Sequence, residues 1–158
     1  MKLLKLILHY SKLEYTQYLV SQVPDSVVID AKGDYISIAK EEVIKIKNEG
    51  FSKNWNKALQ LVWERDWDWV WMANNDIYLK NPETFFDLIK KEAQKDENIK
   101  MLSGAFNASW ENCQVTDNKT PFYTHGVEFT APFLHRSILG RFGLFNEIIK
   151  NGFGIDFP

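Results

Sequence analysis

The run Trp67-Asp68-Trp69-Val70-Trp71-Met72-Ala73-Asn74-Asn75-Asp76 constrains the fold more than any other stretch of the chain. Trp67, Trp69 and Trp71 alternate with Asp68 and Val70, the period of a β-strand, and Val70 to Ala73 is wholly apolar, as in a strand covered on both faces. The run then stops at two amides and a carboxylate. A strand buried on both faces belongs to an α/β sheet, and in such sheets ligands bind beyond the carboxyl ends of the strands. Asp76 therefore emerges where a ligand or a metal would be met, although Asn-Asn-Asp is equally ordinary turn chemistry.

A chain of 158 residues with 45% hydrophobic content can bury one substantial core, so residues 1–158 are read as a single domain. The charges nearly balance, 19 basic against 21 acidic for a net charge of −2, and no basic run exceeds two residues, which argues against a nucleic-acid partner. Cys113 is the one cysteine, which excludes an internal disulfide framework and a cysteine-rich zinc site. A reducing, cytoplasmic location is the expectation. In Met1 to Leu8 the apolar run is interrupted by Lys5 and no small-residue cleavage site follows, so the segment reads as a strand and not as a signal peptide. No apolar stretch approaches the roughly 20 residues that cross a bilayer, so no transmembrane segment is expected. Asn107-Ala108-Ser109 and Asn118-Lys119-Thr120 match the N-glycosylation pattern and are read as chance matches in a chain with no export signal.

Taken in order, Leu3 to Leu8 is a buried strand, and Ser11-Lys12-Leu13-Glu14 predicts a capping box opening a helix to about Gln22, stopped by Pro24. Ser26 to Asp30 is a second strand ending in a carboxylate before the Lys32-Gly33-Asp34 turn. Strand, helix and strand in about thirty residues form a βαβ unit and imply a parallel sheet. Val43 to Ile46 is another short strand. Ser52 is the expected N-cap of a helix whose inner stripe is Trp55, Ala58, Leu59, Val62 and Trp63. Asn81 and Pro82 open a third helix to about Gln94, with Phe85, Leu88 and Ile89 facing inward. Met101 to Phe106 is a strand in which Gly104 permits a close approach, residues 107 to 124 form a loop, and Val127 to Leu134 is a strand. His135-Arg136-Ser137 then starts a short helix closed by Gly143.

Several separated segments, in order, resemble one family. Asn48-Glu49-Gly50-Phe51 with Asn54 and Asn56 resembles the N-x-G-F-x-x-x-N-x-G/A stretch of family-2 glycosyltransferases of the GT-A fold, the rhamnosyltransferase-like nucleotide-diphospho-sugar transferases. Trp69 to Asp76 resembles their hydrophobic strand ending in N-N-D or D-x-D. Phe133-Leu134-His135-Arg136, Gly143-Leu144-Phe145-Asn146-Glu147 and Gly154-Ile155-Asp156 resemble their later motifs. The resemblance spans residues 26 to 156 and rests on the ordered set, no single piece being specific. His9-Tyr10-Ser11 departs from the family's proline-threonine-tyrosine-asparagine ending of the first strand.

The resemblance implies a three-layer α/β/α sandwich with a mostly parallel central sheet, a donor-binding half over about 1–106 and an acceptor-side half over about 107–158. It implies transfer of a sugar from a UDP-, GDP- or dTDP-sugar to a hydroxyl of a glycan or lipid-linked acceptor, metal-dependent and inverting. Asp76 would hold Mn²⁺ or Mg²⁺, which neutralises the departing pyrophosphate, with Asn74 or Asn75 assisting. Asp30 would contact the nucleobase or ribose, or else cap a turn; Asn48 and Asn56 would touch the donor, Asn56 being equally placed for a structural role. Asp156 would be the base that takes the acceptor's proton, with Glu147 as the fallback. His125 and His135 are alternatives as metal or phosphate ligands or plain packing residues, and Arg136 pairs with phosphate or with an acidic neighbour. Family members continue past the catalytic aspartate with helices that build the acceptor site, so the acceptor half is expected to be incomplete here. The other readings are a noncatalytic nucleotide-sugar or glycan-binding module of the same fold and a nucleotidyltransferase, against which stands the lack of a Gly- and Arg-rich loop after Leu8.

Overall fold

A computed structural model of the chain describes residues 1–104 and 130–147. In these, β1 (Leu3–His9), β2 (Val27–Asp30), β3 (Glu42–Lys45), β4 (Trp69–Asn74), β5 (Met101–Leu102) and β6 (Phe133–His135) form one six-stranded sheet in the order β3-β2-β1-β4-β6-β5. The first four strands run parallel and β6 runs antiparallel to both β4 and β5. Helices α1 (Leu13–Gln22) and α3 (Pro82–Lys95) cover one face; α2 (Phe51–Val62) and α4 (Arg136–Phe142) cover the other. The expected three-layer sandwich with a mostly parallel sheet is the architecture found.

The period-2 alternation explains how one strand serves both layers. Val70 and Met72 pack with Trp55, Ala58, Leu59 and Val62 of α2 and Leu139 of α4. Trp69, Trp71 and Ala73 pack with Leu19 and Val20 of α1, Phe86 and Ile89 of α3, and Phe133. Trp71 is fully buried in an aromatic cluster, 5.1 Å from the Phe86 ring edge-on and 6.0 Å from the Phe133 ring in a stacked arrangement. Burying these rings supplies much of the apolar area that drives folding.

Local details depart from the sequence expectations for identifiable reasons. Ser11 does not cap α1: the cap position falls on Lys12 with no side-chain hydrogen bond, and the Ser11 hydroxyl donates instead to Asn75 Oδ1 at 2.8 Å. Ser52 lies inside α2 and is buried, because the helix starts one residue after Gly50, whose φ of 100° reverses the chain as few other residues can. Asn81 does cap α3, accepting from the Thr84 N–H at 3.3 Å, but Leu88 faces solvent. Phe86 sets the inner face of that helix, so the buried positions are Phe86 and Ile89. The strand expected from Met101 to Phe106 covers only Met101 and Leu102; residues 105 and 106, the whole expected loop from 107 to 124, and Val127 to Phe129 lie outside the described residues. Gly143, with φ of 82°, ends α4 as expected.

Gly104 does meet another group closely: a Cβ built there would sit 2.7 Å from Phe85 Cε2, inside the aromatic cluster. Gly104→Ala is therefore expected to cost about 1–3 kcal/mol as the ring is pushed off its neighbours, measured as a lower midpoint in urea unfolding at unchanged m-value.

Candidate functional site

The sheet reverses its winding between β1 and β4: β2 and β3 are added on one side of β1, β4 on the other. The crevice beyond the carboxyl ends of strands at such a switch point is where open α/β sheets bind ligands. Register brings His9 opposite Asp30 and Leu8 opposite Asn74, so the ends of β1, β2 and β4 share one edge of the sheet. His9, Tyr10 and Ser11 line it from β1, and Asn74, Asn75 and Asp76 line it from β4.

Asn75 is fully buried and uses its whole amide in structure. Its Oδ1 accepts from the Ser11 hydroxyl at 2.8 Å, while Nδ2 donates to Thr16 Oγ1 at 2.7 Å and to the Lys12 carbonyl at 3.3 Å. Thr16 Oγ1 lies in turn 2.6 Å from His9 Nδ1, and His9 Nε2 lies 2.7 Å from Asp34 Oδ1. A continuous chain of hydrogen bonds thus runs beneath the crevice from β4 through α1 and β1 to the loop after β2.

Asn74 and Asp76 stand on the two sides of this amide. Asn74 Oδ1 is buried without a hydrogen-bond partner among the described residues, a costly state for a carbonyl unless something else satisfies it. Asp76 is exposed and accepts from the Tyr10 hydroxyl at a long 3.4 Å. Burial, and then the Asp76 charge and hydrogen bond, push the Tyr10 phenol up to about 12.

Asp30 is fully buried, and its carboxylate accepts from the backbone N–H of Gly33 at 2.6 Å and of Tyr35 at 3.3 Å. It holds the turn after β2, and the half-exposed Asp34 presents the accessible carboxylate there, paired with Lys32 at 2.7 Å. The Lys32 hydrogen bond first, and that of His9 next, hold the Asp34 carboxyl below its ordinary range. The connection from β2 to β3 has no helix; Tyr35 packs under it beside the His9 ring, and the buried Glu41 gathers the loop by accepting from the Tyr35 and Ser37 hydroxyls and from the N–H groups of Ile38 and Ala39.

Asn48 Oδ1 accepts from the Gly50 N–H at 3.2 Å and from Asn54 Nδ2 at 3.0 Å, and Asn54 Oδ1 accepts from the Glu49 N–H, so this motif builds the turn before α2. Asn56 is buried and clamps the segment after α4: its Nδ2 donates to the Phe145 carbonyl at 2.9 Å and to Glu147 Oε1 at 3.0 Å, and its Oδ1 accepts from the Phe145 N–H at 2.8 Å. His135 and Arg136 belong to the opposite edge. His135 pairs with Trp69, roughly 17 Å along β4 from Asn74, and caps α4 by accepting from the Ser137 N–H. The Arg136 guanidinium lies over Trp63 and Trp67 and donates to the carbonyls of Trp63 and Arg65, and it makes no ion pair with a carboxylate among the described residues. Asp156 and His125 lie outside the described residues.

The sequence reading did not single out His9 or Thr16. The available signal was an imidazole closing an apolar strand at the sheet edge, a position where a buried polar side chain needs partners.

No protein-family model matches the chain, and no curated protein matches it in sequence. Among solved structures, it is similar to the mannosyltransferase PcManGT from Pyrobaculum calidifontis, a structure in complex with GDP-Man and Mn²⁺. The TM-score is 0.65 at 12% identity, and the match covers 96% of this chain and 50% of that one. The likeness is one of fold: this chain has a glycosyltransferase-like α/β architecture and spans half the length of that enzyme.

Two outcomes follow from the network. Asn75→Ala leaves the buried Thr16 hydroxyl of α1 and the groups of Ser11 and Lys12 just before the helix without this partner, and is expected to cost about 1–3 kcal/mol for each buried group left unsatisfied, read from chemical unfolding. Burial opposes ionisation of Glu41, but the Tyr35 hydroxyl and the surrounding N–H groups outweigh it and hold the carboxyl at about 2 instead of 4.5. Because the folded value is the lower one, this stabilisation is complete above about pH 4.5 and fades as the pH falls toward 2; Glu41→Gln is expected to flatten that part of the stability profile.

Proposed function

We propose that the chain is the donor-binding part of a metal-dependent, inverting glycosyltransferase of family-2 type, which takes a sugar from a nucleotide-diphosphate donor to a hydroxyl of a glycan or lipid-linked acceptor. The observation that carries this reading is an exposed carboxylate, Asp76, two residues after a carbonyl oxygen that has no hydrogen-bond partner among the described residues, Asn74 Oδ1, at the switch-point edge. The fold likeness to a mannosyltransferase in complex with GDP-Man and Mn²⁺ supports it.

The donor set fits a hard divalent cation. Both atoms are oxygens, and one carboxylate with one amide is too few for a protein-only cage, which matches an ion shared with substrate phosphates. Such an ion, Mn²⁺ or Mg²⁺, would neutralise charge on the departing nucleoside diphosphate. The protein's own share is positional. Asn75 holds the turn that carries Asp76, and Tyr10 donates a hydrogen bond to that carboxylate. Asp30 shapes the loop facing the nucleoside, Asn48 shapes the approach to α2, and Asn56 anchors Glu147. Asp156 takes the proton of the acceptor hydroxyl as it attacks the anomeric carbon, opposite the leaving nucleotide.

Calorimetry with UDP, GDP and dTDP, each with and without Mn²⁺, tests the donor claim. At least one nucleotide is expected to bind with metal enhancement, and Asp76→Asn is expected to lower that enhanced affinity by at least about tenfold, or about 1.4 kcal/mol. If no nucleotide shows metal enhancement, the reading is wrong. Binding without donor hydrolysis or transfer, unchanged by Asp156→Asn, would instead identify a noncatalytic binding module.

A further inference from the structure

A second group of metal-ligand type lies across β1 from Asp76. His9, Asp30 and Asp34 each direct one ligand atom into a common space, all within 4.8 Å of one another, with His9 and Asp30 fully buried and Asp34 half-exposed. We infer that these three side chains form a binding site for a borderline divalent transition metal, Zn²⁺ in the first place, separate from the ion proposed at Asp76.

Four features of the cluster carry this. The donors are one imidazole nitrogen and two carboxylates, a set suited to Zn²⁺, Mn²⁺ or Co²⁺, whereas Mg²⁺ and Ca²⁺ favour oxygen alone. Their spacing, from 2.7 Å between His9 Nε2 and Asp34 Oδ1 up to 4.8 Å, brackets the separation of about 3.0–3.5 Å between ligands that metal bonds of 2.0–2.2 Å require. The outer partners lie outside the cluster and orient the ligands as metal sites do: Thr16 Oγ1 at 2.6 Å fixes His9 Nδ1, itself fixed by Asn75, and the N–H groups of Gly33 and Tyr35 fix Asp30. Finally, Asp30 has no cationic side chain paired with it among the described residues, and Lys32 is bound to Asp34 at 2.7 Å on the exposed side. A cation bound there would neutralise the buried Asp30 carboxylate. Asp34 supplies the entry path, since its side chain remains 49% exposed.

The proton balance is simple. With Nε2 on the metal, the neutral ring keeps its one proton on Nδ1, where the Thr16 oxygen accepts it, so the hydrogen bond to Asp34 is replaced by two metal bonds.

The test uses the whole chain without nucleotide, so it stands or falls independently of the donor reading. Zn²⁺ titrated by calorimetry is expected to bind with one-to-one stoichiometry and Mg²⁺ not to compete. Co²⁺ is expected to show the ligand-field bands of a nitrogen and oxygen site, with a paramagnetically shifted His9 ring in the proton NMR spectrum. Asp34→Asn, at a half-exposed position that tolerates change, and His9→Gln should each weaken Zn²⁺ by at least about tenfold, and Thr16→Val by about 10–100-fold. Equal Zn²⁺ affinity in Asp34→Asn and the unaltered chain, competition by Mg²⁺, or loss of the site in Asp76→Asn would overturn the proposal. In the first of these cases the three side chains are a hydrogen-bonded clasp and nothing more.

Discussion

The edge of the sheet that faces the crevice depends on one buried amide. Asn75 follows the most apolar strand of the chain, and a polar side chain in that position must find every partner inside the protein. It finds them in Ser11, Lys12 and Thr16, and through Thr16 in His9 and Asp34. Each bond alone is worth about 0.5–1.5 kcal/mol net, but leaving any partner unsatisfied costs more, so the network acts as a single specification of how β1, α1 and β4 meet. The turn that presents Asp76, the start of α1 and the loop after β2 are positioned together.

Beneath that edge, the two layers divide the work. The face covered by α2 and α4 is filled by aliphatic side chains with Trp55 and Trp67, while the face covered by α1 and α3 carries the interlocked rings of Trp71, Phe85, Phe86 and Phe133. Stiff aromatic packing below and satisfied polar groups above keep the strand ends still. Preorganisation of this kind would let Asp76 and the Asn74 amide oxygen serve in the proposed ligand role without rearrangement. The same edge also gathers an imidazole and two carboxylates on the β2 side, so two polar clusters flank the end of β1.

Much of the architecture was legible in the chain because it follows from period and punctuation. Alternation from Trp67 onward gave β4, the βαβ spacing gave a parallel sheet, and the stripe of Trp55, Ala58, Leu59 and Val62 gave the buried face of α2. Boundaries were less legible where two local signals competed. Ser11 satisfies the pattern of a helix cap, yet its hydroxyl is taken by an amide 64 residues away. Leu88 satisfies helical spacing from Phe85, yet Phe86 decides which face turns inward.

What the sequence by itself determined is the class of fold and the placing of Asn74, Asn75 and Asp76 at a strand's carboxyl end, since hydrophobic period and strand direction are local properties. Only the tertiary structure decided which polar residues remain free to meet a ligand. Asn56 and Asn75 look equivalent to Asn74 as residue types, but the first two spend their hydrogen bonds on the protein's own backbone and side chains. Asn74 keeps an oxygen with no partner among the described residues, and Asp34 and Asp76 keep exposed carboxylates. The physical reason is that satisfaction of a polar group depends on neighbours distant in sequence, and those neighbours are set only when the strands and helices pack.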